Sequence, residues 1–519
     1  MESLIQILVL LILSLAQSDT ARILAYFPTP SLSHQVVFRP ITQELARRGH
    51  EVIVITTDPA FPKNKTPTHL TEIDVHDISY KPWKKILLTN QGKQHTVSQH
   101  LLMIETFAEI FDEQMQSPEV REHINKDRNY YDLLLFEACN RIVLSVGHHF
   151  NAPIISISSY GASSYLYDSM GAPTHPILYP SPERLRLYNL TLIEKGIAIA
   201  WEIISHVFYY TLEDIYAPVL RKHFGNDVPN LSKLQKSVKM LFLNEHPIWS
   251  DNHPVPPNVI YMGGIHETPK KPLPQDLKEY LDTSANGVIY ISFGTNVLPS
   301  VLPPEKIKVF RDVLSQLPYN VLWKWDGNSL PGHSKNINIS KWFPQADLLR
   351  HPNIKLFITQ GGLQSTDEAI NAEVPLLGIP FFADQWYNTE KYVYHKIGMQ
   401  LDIETLNEDK LKQAILTLVE NESYKRNIGK LRELIGQHPT EPLNLTVWWI
   451  EHLIKYGGDH LQAPAAGLSW IEYYEVHLLL IILSILFVIL VIVISTLKFL
   501  LRFLMKSLHI KKEIKMKSN

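Results

Sequence analysis

Residues that can exchange protons or bind an anion follow five apolar runs of the sequence. The runs are "RILAYF", "YDLLLF", "VIYISF", "IKLFIT" and "PLLGIP". The polar or glycine residues at or just after their ends are His34, Glu137, Ser292, Gly294, Thr295, Gln360, Gly361, Gly362, Asp384 and Gln385. In an open parallel sheet, ligands bind beyond the carboxyl ends of the strands. Taken singly, each of these residues is more often a solvated loop residue than a functional one. The interpretation as a ligand site therefore rests on their shared placement at strand ends.

The stretch "LFITQGGLQSTDEAI", Leu356 to Ile370, has the form of an anion-binding turn. Gly361 and Gly362 allow the backbone to approach a ligand closely. The helix predicted after them offers unpaired N–H groups and the positive end of its dipole. Such a site needs no lysine, because its donors are the amides. The stretch is neither a Walker A loop nor a Gly-x-Gly-x-x-Gly fingerprint. Taken alone, a plain strand-to-helix turn explains it equally well.

Strand and helix patterns alternate in both halves of the 519-residue chain, which predicts an α/β protein. In the first unit, "RILAYF" is followed by apolar residues at helical spacing, by Gly49 and by the next strand, "EVIVIT". Such βαβ units imply a parallel sheet buried on both faces. A Pro- and Gly-rich segment near Gly263 to Lys271 separates the halves. We therefore predict two doubly wound, Rossmann-like domains, residues 19–265 and 266–470, facing each other across a cleft.

Both ends of the chain predict targeting to a membrane. Residues 4–15 are apolar but too short to span a bilayer, so residues 1–18 are interpreted as a signal peptide. Residues 476–497 have the length of a transmembrane helix and contain no Asp, Glu, Lys or Arg. Trp470, Tyr473 and Tyr474 precede this segment as an interfacial belt, and the tail 498–519 carries seven basic residues. The positive-inside rule places the tail in the cytosol and the body on the other side.

Composition narrows the function classes. The body is net acidic and has no basic stripe, which argues against a nucleic-acid ligand. Cys139 is the only cysteine in the sequence, so no disulfide can form within the chain. Six sequons fit a lumenal body, at Asn64, Asn189, Asn230, Asn338, Asn421 and Asn444. The final "KMKSN" resembles an endoplasmic-reticulum retrieval signal.

A long block of the second half resembles the donor-binding signature of the UDP-glycosyltransferases. The block is "KWFPQADLLRHPNIKLFITQGGLQSTDEAINAEVPLLGIPFFADQ", Lys341 to Gln385. It keeps Trp-x-Pro-Gln, Gly-Gly, an acid six residues later, Pro-Leu-Leu and Asp-Gln at fixed offsets. The resemblance extends over nearly the whole chain and is strongest to insect membrane-bound members. It implies the two-domain GT-B fold, a body in the reticulum lumen held by a single-pass type I anchor, and a UDP-sugar co-substrate. It implies no cofactor.

The resemblance assigns donor-binding roles to named residues. It implies that Trp342 stacks on uracil. Gln345 and Glu368 would bind the ribose, while Asp384 and Gln385 would bind hydroxyls of the transferred sugar. The diphosphate would be held by Ser292, Thr295, Gly362, Gln364 and Ser365. Family members usually have histidine where this chain has Gln360, which would still donate a hydrogen bond at the donor site but cannot supply a cation. No Asp-x-Asp motif is evident, and the resemblance implies no metal. For Phe343, beside Trp342, core packing is the favoured interpretation.

On the acceptor side, the resemblance implies a catalytic pair. His34 matches the family's general base, which removes the proton from an acceptor hydroxyl. The family's aspartate aligns with Glu137, which would orient the imidazole. An ion pair between Glu137 and Arg141 is the competing interpretation. Direct displacement on an α-linked UDP-sugar would invert the anomeric centre and give a β-glycoside.

The sequence constrains the identities of the transferred sugar and of the acceptor less closely. Glucuronosyl members commonly place an arginine at the position of Asn244, so glucose is favoured. The segments "QHLLMIETFAEIF" and "SYGASSYLYDSMGAPTHPILYP" are rich in apolar residues and could line a pocket for small lipophilic alcohols or phenols. Such an activity serves detoxification, or hormone or pigment conjugation. An inactive UDP-sugar- or lipophile-binding membrane protein is the alternative function. A Rossmann dehydrogenase is disfavoured because the first strand lacks the glycine fingerprint. Association between identical copies stays open.

Overall fold

The structure is a computed structural model that describes residues 20–63, 65–89, 96–437 and 439–517. The predicted signal peptide, residues 1–18, and the sequon at Asn64 lie outside these residues. Within the described part of the chain, strands and helices alternate through both halves, as the apolar patterns predict.

In the first half, the described residues form seven strands. They are β1 (Arg22–Phe27), β2 (Glu51–Thr56), β3 (Leu70–Asp74), β4 (Leu133–Glu137), β5 (Ile154–Ser158), β6 (Val238–Leu243) and β7 (Val259–Tyr261). Its helices are α1 (Leu32–Arg47), α2 (His76–Thr89), α3 (Thr96–Gln116), α4 (Pro118–Ile124), α5 (Leu144–His149), α6 (Ser164–Met170), α7 (Leu192–Thr211), α8 (Glu213–Phe224) and α9 (Leu231–Gln235).

The part of the second half that the structure describes forms six strands. They are β8 (Val288–Ser292), β9 (Asn320–Lys324), β10 (Ile337–Ser340), β11 (Ile354–Thr359), β12 (Leu376–Gly378) and β13 (Gly398–Gln400). The helices are α10 (Gln275–Asp282), α11 (Pro304–Gln316), α12 (Gln345–Leu349), α13 (Leu363–Asn371), α14 (Gln385–Tyr394), α15 (Glu408–Glu420), α16 (Ser423–Gly436), α17 (Pro442–Tyr456), α18 (Trp470–Tyr473) and α19 (Val476–Lys517).

The strands form two separate parallel sheets with the same winding. The first has the order β3-β2-β1-β4-β5-β6-β7 and the second has the order β10-β9-β8-β11-β12-β13. In each sheet the chain moves outward in one direction and then restarts on the other side of the first strand. The strand order therefore reverses between β1 and β4 and between β8 and β11. The prediction of two doubly wound α/β units is confirmed.

Each sheet is buried on both faces, as continuous apolar strands require. Along β1, Leu24 and Tyr26 contribute to one core, whereas Ile23, Ala25 and Phe27 contribute to the core on the opposite face. The same alternation holds in β8, where Ile289 and Ile291 face one layer and Val288 and Tyr290 the other. Side chains in strands alternate with a period of two, so one apolar run supplies two cores.

The end of the second half returns to the first. Helix α17 packs against α1, and its residues Val447, Ile450 and Leu453 join the core on that face of the first sheet. Arg48 Nη1 lies 3.0 Å from Glu451 Oε2 beside this contact. The predicted boundaries, 19–265 and 266–470, do not include this crossing, because amphipathic spacing shows that α17 has a buried face but not what covers it.

Helix α19 is longer than the predicted membrane segment. Its stretch Val476–Leu508 is long and apolar enough to cross a membrane, and none of it is buried inside the protein. The prediction ended this segment at Leu497. The helix instead continues through the basic residues, because no Gly or Pro interrupts residues 476–517 and lysine and arginine are good helix formers.

Candidate active site

Part of the predicted site lies at the two points where the strand order reverses, whereas Trp342 follows β10 and Asp384 follows β12. His34 lies in the first turn of α1, which begins at Leu32 after β1, and Glu137 is the last residue of β4. Ser292 ends β8, and the Gln360–Gly362 turn follows β11. In doubly wound sheets, the loops separate at such a point and leave a crevice beyond the strand ends. Because β1 and β4 are neighbouring strands, the residues that follow them border the same crevice. The same holds for the residues that follow β8 and β11.

His34 and Glu137 form a close pair. His34 Nδ1 lies 2.6 Å from Glu137 Oε1, and the backbone N–H of Thr29 donates to Glu137 Oε2 over 3.0 Å. The Glu137 side chain is fully buried and that of His34 is 15% exposed. An ionised carboxylate only accepts hydrogen bonds, so Nδ1 carries the imidazole proton. The lone pair of Nε2 is then available for a proton from another molecule.

The competing partner of Glu137 is engaged elsewhere. Arg141 Nη2 lies 2.9 Å from Glu213 Oε1, and the guanidinium stacks on Tyr209 at 3.6 Å from the ring centroid. Both side chains of the Arg141–Glu213 pair are nearly buried. The interpretation in which Glu137 pairs with Arg141 is therefore wrong. The sequence could not show this, because Glu213 lies in α8, a helix distant in the chain.

Cys139 completes a group of three possible metal ligands. Side-chain atoms of His34, Glu137 and Cys139 lie within 4.8 Å of one another. Burial raises the pKa of the Cys139 thiol, and the nearby charge of Glu137 adds to the effect. The Tyr160 hydroxyl lies 3.7 Å from Cys139 Sγ. A protonated thiol is a poor metal ligand, and the other two groups already bind each other. The donor set therefore suits proton transfer better than a resident cation.

The turns after β8 and β11 interlock through glycines. Gly294 has φ +74° and Gly361 has φ +94°, conformations that other residues adopt rarely. A Cβ on Gly294 would come within 2.3 Å of Gln360 Nε2. Gln360 Oε1 accepts a hydrogen bond from Thr359 Oγ1 at 3.0 Å. The Gln360 side chain is thus buried between the two turns, and the amides at the start of α13 stay available.

Two polar groups beside this turn are suited to binding a ligand. Thr295 Oγ1 is buried and has no hydrogen-bond partner, a state that native proteins avoid unless a ligand or water fills it. Lys324, the last residue of β9, donates from Nζ to the Gly294 carbonyl over 2.9 Å. Burial lowers the pKa of Lys324 to about 8. A cation therefore lies beside the turn after β8, although the turn sequences themselves contain none.

Trp342 presents an open aromatic face. Its side chain is 59% exposed, and the Lys324 ammonium lies 4.6 Å from the ring centroid. The next residue, Phe343, is 7% exposed and packs edge-on against Tyr290. The predicted division of labour between these two neighbours, a free ring and a core ring, agrees with their burial.

Gln345, Ser365 and Glu368 form one polar cluster near Trp342. Gln345 Nε2 donates to Ser365 Oγ over 2.9 Å and to Glu368 Oε2 over 2.7 Å. Its Oε1 accepts from the Tyr290 hydroxyl at 3.0 Å. Burial raises the pKa of Glu368, while the bond from Gln345 opposes that rise. These contacts bring together three of the predicted donor-binding side chains.

Asp384 immediately precedes α14. Its Oδ2 accepts from Asn388 Nδ2 over 2.8 Å. Burial raises the pKa of Asp384 to about 6, and the bond from Asn388 and the nearby charge of His34 oppose the rise. Asp384 of the second half thus lies near His34 of the first half.

Two predicted donor ligands point elsewhere. Gln364 Nε2 donates to the Ser159 carbonyl across the cleft over 2.7 Å, and not toward the glycine turn. Gln385 Oε1 accepts from the backbone N–H groups of Phe381 and Phe382 at 2.9 and 3.2 Å. Gln364 joins the two halves, and Gln385 fixes the loop that carries Asp384. The sequence motif gives residue positions, but it does not give side-chain directions.

An apolar cavity of about 260 Å³ adjoins this crevice. Its wall includes Met103 and Phe107 of α3, Tyr160 and Tyr165 of the second predicted segment, and Asp384. Both segments that were expected to border a lipophilic pocket therefore do so. The cavity connects residues of the two halves, which also meet where Asn296 Nδ2 donates to Ser31 Oγ over 2.8 Å.

A sequence model of the family described as "UDP-glucoronosyl and UDP-glucosyl transferase" matches residues 23–513. The chain belongs to this family. Among curated relatives, the "Ecdysteroid UDP-glucosyltransferase" of Lymantria dispar multicapsid nuclear polyhedrosis virus is 34% identical over 477 residues, covering 90% of this chain and 94% of the relative. The "UDP-glucosyltransferase 2" of Dactylopius coccus is 31% identical over 486 residues, covering 91% and 92%.

Solved structures give the fold. The glycosyltransferase VinC in complex with DTDP superimposes with a TM-score of 0.56 at 15% identity, covering 84% of this chain and all of VinC. The glycotransferase of kitacinnamycin gives 0.57 at 16% identity, covering 83% and 98%. The predicted GT-B fold, the assignment as a UDP-glycosyltransferase and the UDP-sugar co-substrate are confirmed.

Three residues of this UDP-glycosyltransferase were missed by sequence reasoning. Lys324 ends a strand whose last residues were not considered, although the same strand-end rule identifies it. Asn388 lies one helical turn after Asp384, and it also donates to the Gly361 carbonyl over 2.8 Å. Tyr160 lies 6.1 Å from the His34 ring, between centroids. Tyr160 belongs to a segment that was predicted to line a pocket, but its closeness to His34 was not predicted. It follows β5, the neighbour of β4 in the first sheet, so the strand-end rule also identifies it.

Proposed function

We propose that this UDP-glycosyltransferase moves glucose from UDP-glucose to the hydroxyl group of a small lipophilic acceptor and inverts the anomeric centre. The observation that carries the proposal is the His34–Glu137 pair at the first reversal point, next to Asp384 of the second half and to the apolar cavity. In this proposal, residues 19–265 bind the acceptor and residues 266–470 bind the donor, with α17 completing the first half.

The reaction begins at His34. Nε2 takes the proton of the acceptor hydroxyl as its oxygen attacks the anomeric carbon of glucose. Glu137 holds the ring through Nδ1–H and stabilises the imidazolium that forms, and Thr29 N–H keeps the carboxylate in place. The bond from the anomeric carbon to the diphosphate oxygen breaks, and UDP leaves with the electron pair. Attack from the opposite face gives a β-glucoside.

The diphosphate is stabilised without a charged residue in the Gln360–Gly362 turn. The unpaired N–H groups at the start of α13, which begins at Leu363, supply donors and the positive helix end. Thr295 Oγ1, which is buried and has no hydrogen-bond partner within the protein, donates to a diphosphate oxygen. These fixed dipoles require little rearrangement as negative charge develops on the leaving group. Ser292 and Ser365 remain the proposed hydroxyl ligands beside them.

The nucleoside and the sugar occupy the neighbouring groups. Uracil stacks on the open face of Trp342, and the Gln345–Glu368 pair binds the ribose hydroxyls. Asp384 accepts a hydrogen bond from a hydroxyl of glucose. Gln364 and Gln385 act as positioning residues, one for the interface between the halves and the other for the Asp384 loop, and their hydrogen bonds support these roles.

Glucose is preferred to glucuronate because the sugar side of the cleft offers no cation at Asn244. This residue is buried and donates from Nδ2 to the Ser159 carbonyl over 3.1 Å. A neutral amide cannot neutralise a sugar carboxylate, and burying that charge unpaired is costly. The relatives named above are described as glucosyltransferases, which supports the same choice.

The acceptor is a hydroxyl-bearing lipophile, of which a steroid or a phenol is an example. The cavity wall is largely apolar and aromatic, and several related enzymes are described as acting on ecdysteroids. Such a reaction makes a lipophile water-soluble, which serves detoxification or hormone or pigment conjugation. The enzyme would act in the lumen of the endoplasmic reticulum, anchored by α19 as a type I protein. The sequon asparagines Asn189, Asn230, Asn338, Asn421 and Asn444 are exposed and available for glycosylation there.

Product analysis tests the proposal. The full-length enzyme is incubated with a mixed panel of phenols and steroid alcohols and with either UDP-glucose or UDP-glucuronate. Mass spectrometry should detect hexosides with UDP-glucose and far less product with UDP-glucuronate. Equal or greater product from UDP-glucuronate would contradict the role given to Asn244. UDP binding without any product would instead favour an inactive binding protein.

A further inference from the structure

Helix α7 has an unusual distribution of polar and apolar residues. Its exposed face carries Leu192, Ile193, Ile197, Ile199, Ile203, Ile204 and Val207, which are 47% to 86% exposed. Between Leu192 and Val207, Lys195 is the only polar residue that the structure describes as exposed. Helices at a water surface normally turn their apolar stripe toward the core. Here that stripe faces outward.

Two polar residues of α7, Glu202 and His206, face inward instead. His206 Nε2 lies 3.6 Å from Glu202 Oε1 and 3.5 Å from Asp168 Oδ2, a residue of α6. The Glu202 side chain is only 14% exposed. An apolar outer face and a paired polar inner face are the reverse of what water favours. This arrangement indicates that the outer face meets an apolar environment.

The side chains on the outer face of α7 indicate what kind of partner contacts it. It consists of aliphatic side chains and lacks the Tyr, Trp and Arg residues that dominate protein–protein hot spots. It also lacks the basic cluster that recognises anionic lipids. The chain possesses a stretch, Val476–Leu508, that is long and apolar enough to cross a membrane, so a bilayer is a partner within its reach.

The same helix borders the acceptor cavity. Trp201, Ser205 and Phe208 on its inner side line the cavity, and Ile204 belongs both to the cavity wall and to the exposed face. We propose that the outer face of α7 lies in the surface layer of a lipid bilayer and that lipophilic acceptors pass from this layer into the cavity. The second clause rests on the proposed function; the contact with lipid does not.

Quenching of single labels on the full-length chain in phosphatidylcholine vesicles tests the contact. A fluorophore is attached to Ile197→Cys in a Cys139→Ser background, with Lys195→Cys on the same helix and Lys236→Cys, also exposed, as matched controls. Nitroxide lipids should quench the label at position 197 at a depth of about 5–10 Å, and aqueous iodide should not. The control labels should respond to iodide. Adding anionic lipid should leave this pattern unchanged, because the face is uncharged.

Two results overturn the proposal. Iodide quenching at position 197 equal to that at position 236 would place the face in water. Protection from both quenchers would place a second copy of the chain on it. These readouts require no turnover, so they stand even if the enzyme fails to glucosylate any acceptor.

The acceptor route is tested by exposed-face variants. Ile197→Gln and Ile203→Gln together remove apolar surface but no core contact, so the thermal midpoint should not change. The KM for an acceptor dissolved in the bilayer should rise several-fold, whereas kcat and the KM for a water-soluble phenol should not. An equal KM for the bilayer acceptor in the variant and the parent enzyme would overturn the route.

Discussion

Replacing Glu137 with glutamine should disable the catalytic base while leaving the shape of the site intact. Two N–H groups face the two carboxylate oxygens, His34 Nδ1–H at 2.6 Å and Thr29 N–H at 3.0 Å. Glutamine offers one oxygen and one NH₂. If its NH₂ faces His34, the imidazole adopts the tautomer that carries its proton on Nε2 and cannot act as a base. If it faces Thr29, two donors meet, and the buried backbone N–H loses its acceptor.

The expected loss in kcat follows from these two orientations of the glutamine amide. An unsatisfied buried donor costs about 1–3 kcal/mol, and the imidazolium loses its counter-charge in either orientation. An amide in place of the triad carboxylate in serine proteases reduces kcat by about 10⁴-fold. We therefore expect Glu137→Gln to lower kcat by about 10²- to 10⁴-fold, which corresponds to about 3–5 kcal/mol in the barrier.

The assay compares kcat for transfer from UDP-glucose with the Kd for UDP measured by calorimetry. Glu137→Gln should bind UDP like the parent enzyme, because Glu137 belongs to the first sheet and the donor groups to the second. Glu137→Asp is the matched control: it keeps the charge but shortens the side chain by about 1.5 Å, so it should retain more activity than the glutamine variant. A Glu137→Gln enzyme with kcat within threefold of the parent would refute the reasoning.

Further predictions concern the donor site and the buried carboxyls. Trp342→Ala should weaken UDP binding by about 1–3 kcal/mol with little change in the thermal midpoint. Phe343→Ala should instead lower that midpoint, because it removes a buried ring. The reverse pattern would exchange the roles of the two residues. Thr295→Val should weaken UDP binding by about 1 kcal/mol and leave the free protein as stable as the parent or more so, since it removes an unpaired buried hydroxyl; unchanged affinity would remove Thr295 from the diphosphate site. Burial raises the pKa of Glu245 from 4.5 to about 8, so stability from its protonated form is complete below pH 4.5 and is lost as pH rises through 8. Glu245→Gln should therefore show a smaller fall in thermal midpoint between about pH 6 and 9, and an equal fall in both proteins would contradict the buried, protonated state.

The sequence predicted the location of the site better than its contacts. Apolar runs mark the strands, and the structure has His34, Glu137 and the Gln360–Gly362 turn at or beyond strand ends, as those runs predict. These positions could be predicted because strand direction and winding depend on local pattern and chain connectivity. The same rule, applied to the end of β9, would have found Lys324.

Contacts between distant segments could not be read from the sequence. The partner of Arg141 is Glu213 in another helix, and the α17 helix crosses back to the first sheet. Gln364 and Gln385 sit at the motif positions, yet their amides bind the opposite half and the local backbone. These outcomes depend on how helices and halves pack, and packing is decided by the whole fold and not by local spacing.

The central claim is that His34 is the base for glucosyl transfer in a cleft that binds UDP-glucose. A single-turnover comparison of the parent enzyme with His34→Ala, using saturating UDP-glucose and one phenol acceptor, tests it most directly. The parent enzyme should form the β-glucoside, identified by its anomeric proton, while His34→Ala binds UDP normally and forms product slower by about 10²-fold or more. Equal rates of product formation by the two proteins would contradict the account.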